Sequence, residues 1–215
     1  MPTPHIPSFG SEASASPPRL WDPIVRLTHW GTAMAVLLNG LATEGGSILH
    51  VSLGWMAMAL LILRLIWGVL GPSEARFSAF PPNPVAALAH LRQLAGGRAK
   101  SHASHNPAGA LMVYAFWLML VVVIGSGLVL TGGATPMQVA TDKAAVASGD
   151  WSALIPKTGA GDSESPRRET VEEVHEVAAN LLLILAALHV AGVFVESRAM
   201  RRSLLAPMVL GDRRK

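Results

Sequence analysis

VHEVAANLLLILAALHV, residues 174–190, is apolar enough to lie in a bilayer, yet it carries histidine near each end. An α-helix rises about 1.5 Å and turns about 100° per residue, so the steps from His175 to His189 cover about 21 Å of axis and return to within about 40° of the starting direction. Both rings therefore face one interior at two levels, too far apart to share a metal ion. Each needs a partner from another segment.

The whole chain has the composition of a protein dissolved in lipid. Of its 215 residues 51% are hydrophobic and only 14% charged, with mean hydropathy +0.40; soluble domains carry about 25% charge. The apolar residues are bunched into blocks, and four spans of about 20 residues are predicted, at 25–43, 48–70, 109–131 and 174–195. EGGS (44–47) makes a tight turn, GPS (71–73) ends the second span, and Asn106-Pro107 opens the third, proline being tolerated in a first helical turn. Residues 1–20, rich in Pro and Ser, read as a disordered tail with no signal-peptide core, leaving the first span to act as an uncleaved targeting signal.

Charge sets the orientation. Arg19, Arg26, Arg76, Arg92, Arg98, Lys100, Arg198, Arg201, Arg202, Arg213, Arg214 and Lys215 fall on one side. Lys143, Lys157, Arg167 and Arg168 fall on the other, in a loop that also holds seven acidic residues. The positive-inside bias puts both termini in the cytoplasm. The expected architecture is thus an all-α integral membrane protein: a four-span domain over 21–197, a basic cytoplasmic tail over 198–215, and an irregular outer loop over about 132–170. This asymmetry accounts for the net charge of +3, so no nucleic-acid partner is expected.

With that orientation the histidines match by depth. His29 sits about one turn into the first span, level with His189 on the inner side; His50 opens the second span, level with His175 on the outer side. The chain has no cysteine, which excludes disulfides, thiolate-held clusters and covalent haem c. Two opposed imidazoles at each of two levels suit two non-covalent haem b groups, whose porphyrin supplies the four in-plane nitrogens and leaves two axial positions to the protein. His/Met ligation is chemically open, with nine methionines present, but four histidines already pair without it. Gly40, Gly54, Gly125, Gly127 and Gly192 offer room for the macrocycle.

Arg64, fourteen residues after His50, belongs at the inner level. An arginine inside a span costs about 2.5–3.5 kcal/mol, so it either snorkels or meets an anion such as a haem propionate. Arg26, one turn before His29, is a second candidate for the propionates. His5, His90, His102 and His105 lie among polar residues and are assigned solvated or capping roles. A histidine-lined transporter would need a polar pathway that the spans lack.

Several stretches together resemble the bacterial cytochrome b561 family, which includes the b-type cytochrome subunits of nickel–iron hydrogenases: WDPIVRLTHW (21–30), RLIWGVLGPSEARF (64–77), SHNPAGALMV (104–113), VHEVAANLLLILAALHVAGVFVES (174–197) and RRSLLAPMVLGDRR (201–214). The resemblance implies a multi-pass cytochrome of the bacterial inner membrane carrying two b haems, with axial ligands His29, His50, His175 and His189. It also implies electron transfer between quinone or quinol and a redox protein, such as a c-type cytochrome at the outer face. Two other activities of the family are admitted: superoxide oxidation with quinone reduction, for which Lys157, Arg167 and Arg168 would attract the anion, and service as the cytochrome subunit of a hydrogenase or dehydrogenase complex.

Overall fold

The computed structural model of the chain describes residues 22–96, 106–154, 166–201 and 203–210. The expected N-terminal tail, His5, His102, His105, Lys157 and the end of the basic tail lie outside the described residues. Among the described residues the fold is entirely helical: α1 (Pro23–Ala42), α2 (Ile48–Leu70), α3 (Pro84–Ala95), α4 (Pro107–Leu130), α5 (Pro136–Ala147), α6 (Pro166–Ala199) and α7 (Leu205–Leu210). Short 3-10 turns lie at Ser73–Ala75, Phe77–Ala79 and Trp151–Leu154.

Local chemistry sets the boundaries. Asp22 accepts from the amides of Ile24 and Val25 and Ser47 from that of His50, starting α1 and α2. Between them Gly46 takes a φ of 69°, where a side chain is disfavoured. Asn106 caps α4 through the amide of Gly109, and Pro107 sits where no amide hydrogen is needed.

Helices α1, α2, α4 and α6 form a closed ring, α1 touching α2, α2 touching α4, α4 touching α6 and α6 touching α1. Three of them, α2, α4 and α6, are long and apolar enough to cross a membrane. Arg26, His29 and Asn39 leave α1 less apolar, although its 20 residues extend for about 30 Å. The outward faces expose Leu27, Met34, Leu41, Ile62, Ile66, Leu118, Val121, Ile184, Leu188 and Phe194, an apolar belt suited to lipid. The protein is a multi-pass membrane protein, its helices in contact with lipid.

The connections depart from expectation in three ways. The outer loop, expected to be irregular, contains α5, which starts on a capping box between Thr135 and Gln138. Trp55 of α2 donates its indole N–H to the carbonyl of Ala134, holding α5 against the bundle. Helix α6 begins well before its apolar stretch, because the polar run Arg167–Glu173 consists largely of good helix formers. Between α2 and α4 in the chain, α3 lies against α4, and His90 is buried to 5% exposure, so the solvated role assigned to His90 is wrong.

Candidate functional site

The interior of the ring has three layers. In the middle Leu61 of α2, Leu120 of α4 and Leu182 of α6 form the apolar core, packed by Val36, Phe116, Trp117 and Ile124. Leu182 stands midway between His175 and His189 on the same face of α6, so this layer separates two histidine levels.

At one level the structure brings His50 of α2 to His175 of α6, ring centroids 6.2 Å apart and planes inclined at 59°. At the other it brings His29 of α1 to His189 of α6, again at 6.2 Å, with an angle of 54°. These are the partners matched by depth. A metal–imidazole bond is about 2 Å long and a ring centre lies about 1 Å behind its nitrogen, so two imidazoles on opposite sides of one metal stand about 6 Å apart. Each pair thus has the spacing of two axial ligands. Among the described residues no three His, Asp or Glu side chains gather as a metal site.

The outer pair is anchored by hydroxyls. Ser126 Oγ of α4 lies 2.9 Å from His175 Nδ1 and 2.7 Å from the carbonyl oxygen of Val122. An imidazole protonated at Nδ1 would donate to this hydroxyl and keep a free lone pair on Nε2. Thr43 stands likewise beside His50: its Oγ1 lies 3.0 Å from the carbonyl of Asn39, 3.2 Å from Asn39 Oδ1 and 3.2 Å from His50 Nδ1. Asn39 in turn donates from Nδ2 to the backbone carbonyl of His50, tying α1 to α2 beside the site. An outer-shell bond on the second nitrogen is what fixes the tautomer and raises the basicity of a metal-ligating histidine.

The inner pair is held by aromatic packing. Phe116 of α4 meets His189 edge-on at 5.8 Å, and Trp30 stands perpendicular to His29 at 5.1 Å. Arg64 is buried to 9% exposure rather than snorkelling. Its Nη2 donates to the carbonyl of Ala75 at 3.2 Å, and its guanidinium carbon lies 5.4 Å from the ring centre of Trp117 and 5.9 Å from that of Phe77. Nη1 has no hydrogen-bond partner among the described residues, a buried donor aimed at nothing. Arg26 is engaged elsewhere: Nε and Nη2 donate to the carbonyls of Met208 and Val209, pinning α7 to the start of α1 with help from the Trp30 indole.

The glycines divide by role. Gly54, Gly125 and Gly192 have open space where a Cβ would stand, while a Cβ on Gly40 would strike Leu183 and one on Gly127 would press on His175. Gly54 lies one turn beyond His50 and Gly125 beside Ser126, so both leave room at the outer level. Sequence reasoning found the four histidines and Arg64. It missed Thr43, Asn39, Ser126 and Phe116; the signal for the first three was a short polar side chain at or inside the end of a span.

Comparison with known proteins gives one match. The family model described as prokaryotic cytochrome b561 matches residues 20–211. No curated protein and no solved structure matches.

Proposed function

The chain belongs to the prokaryotic cytochrome b561 family, whose members are membrane b-type cytochromes that bind haem b and transfer electrons, and from that membership we propose that it carries electrons across the bilayer on two bis-histidine sites. His50 and His175 hold the outer haem, His29 and His189 the inner. When bound, each haem iron takes up and releases one electron. The observation that carries the reading is the twofold 6.2 Å spacing of imidazoles along the single helix α6.

The chain's own residues orient and insulate these sites. Ser126 and Thr43 present the Nε2 lone pairs of His175 and His50; Phe116 and Trp30 exclude water from the inner pair; Leu61, Leu120 and Leu182 keep the space between the levels dry. Arg64 directs its unpaired Nη1 to a propionate of the inner haem. Arg26, with two of its nitrogens on α7, plays the lesser part in binding that group. Helix α1 serves as the fourth span, and the basic inner loops set both termini in the cytoplasm of a bacterial inner membrane.

Quinone or quinol is the membrane-side partner and a redox protein at the outer face, such as a c-type cytochrome or a dehydrogenase or hydrogenase subunit, the other. At the outer end of α6 next to His175, exposed Glu169, Glu172, Glu173 and Glu176 outnumber exposed Arg167 and Arg168, a net negative field that favours a cationic protein over the superoxide anion. The test is the haem content of the purified chain, with two haem b per chain expected. One per chain would remove the transmembrane relay, and none would remove the haem reading.

A further inference from the structure

A second cluster of titratable groups lies below the inner pair and takes no part in holding it. Glu196 of α6 is buried to 8% exposure and His90 of α3 to 5%. Glu196 Oε1 is 3.8 Å from His90 Nε2, and Oε2 accepts from Asn106 Nδ2 at 2.5 Å. Asn106 is itself locked, since its Oδ1 caps α4 through the amide of Gly109. Glu196 lies seven residues beyond His189, which places it about 10 Å further toward the inner end of α6 and within about 20° of the same face.

A carboxylate here is not explained by helix docking alone. Glu196 stands in the last turn of α6, where the helix dipole disfavours an anion, and a pair of apolar side chains would hold α3 to the bundle at least as well. The start of α4, reached through Asn106, offsets part of that cost. Among the described residues the other titratable groups of the helices packed here turn away: Arg92 of α3 and Arg198 of α6 are exposed, and Tyr114 of α4 packs against Phe80 and Trp117. What remains is an acid and a base in contact, shielded from solvent, in line with an electron-accepting site.

We propose that His90 and Glu196 form a proton-exchange site coupled to the inner haem. As the inner site gains one electron from the redox partner, the pair takes one proton from the cytoplasm; as the electron leaves, the proton is returned. The added negative charge stabilises the proton on the pair, and the proton stabilises the electron, so net charge in the low-dielectric interior stays constant. The inference rests on the assignment of the inner haem to His29 and His189.

The test is a spectroelectrochemical titration of the full-length haem-loaded protein over a series of pH values. The inner haem is identified as the one lost in His189→Ala. In the wild type its midpoint potential is expected to fall as pH rises, by up to about 59 mV per pH unit, which is tenfold in equilibrium constant for one electron. Glu196→Gln and His90→Gln are each expected to flatten that slope and leave the outer haem's potential unchanged. A flat wild-type profile, an unchanged slope in both variants with both haems bound, or a slope belonging to the outer haem would each overturn the proposal. Loss of the inner haem from both variants would assign the cluster a structural role and overturn it as well. A wild type without two haems would instead sink the assignment on which it rests.

Discussion

The two histidine pairs have the same separation and different surroundings, and the difference separates what ligation requires from what tunes it. The outer pair has polar contacts behind its rings, Ser126 on His175 and Thr43 on His50. The inner pair stands between Trp30 and Phe116, and the buried Arg64 cation packs on Trp117, the neighbour of Phe116 on α4. Spacing is what the pairs share, and it is what one metal between two imidazoles would demand. Hydroxyls on one side and aromatics plus a cation on the other give the two levels distinct electronic settings.

That contrast is open to direct challenge. The largest effect is expected from the ligands themselves: alanine at His50 or His175 should remove one haem, and alanine at His29 or His189 the other, read as haem per chain and by which absorbance band is lost. Next, Ser126→Ala should weaken retention of the outer haem by about tenfold or more, as loss of an outer-shell partner typically does, and leave the inner haem in place. Equal loss of both haems would mean that Ser126 acts on the fold rather than on His175. Arg64→Leu should lower the inner potential by about 40 mV, the equivalent of about 1 kcal/mol for one electron, because removing a cation disfavours the reduced state. An unchanged inner potential would detach Arg64 from the propionates. Thr43→Val should have the smallest effect, a modest weakening of the outer haem, since its contact with His50 is the longer of the two hydroxyl bonds.

Residues that apolar length and helix periodicity constrain were legible in the sequence; residues that only tertiary packing constrains were not. The second span was read at its observed bounds, and the third within two residues, because apolar length and the Ser47 and Asn106 caps state them locally. The histidine pairing followed from helix periodicity and the topology of alternating spans. Helix α5 was written in the sequence as Thr135-Pro136 with Gln138 and an Ala-rich run, but the Gly and Ser of the segment around it made the whole read as loop. His90 looked solvated because its neighbours along the chain are polar further on; only the docking of α3 against α4 brings it to Glu196. The hydroxyls of Ser126 and Thr43 resemble any tolerated helix hydroxyl bonded to its own backbone, which both also are.

The central claim is that α6 gives one axial ligand to each of two haems, each shared with a different helix. It is tested most directly by comparing the reduced-minus-oxidised spectra of His50→Ala and His189→Ala against a two-haem wild type. The two variants should each keep one haem and lose different ones, so that their difference spectra sum to that of the wild type. Loss of the same haem from both would contradict the pairing.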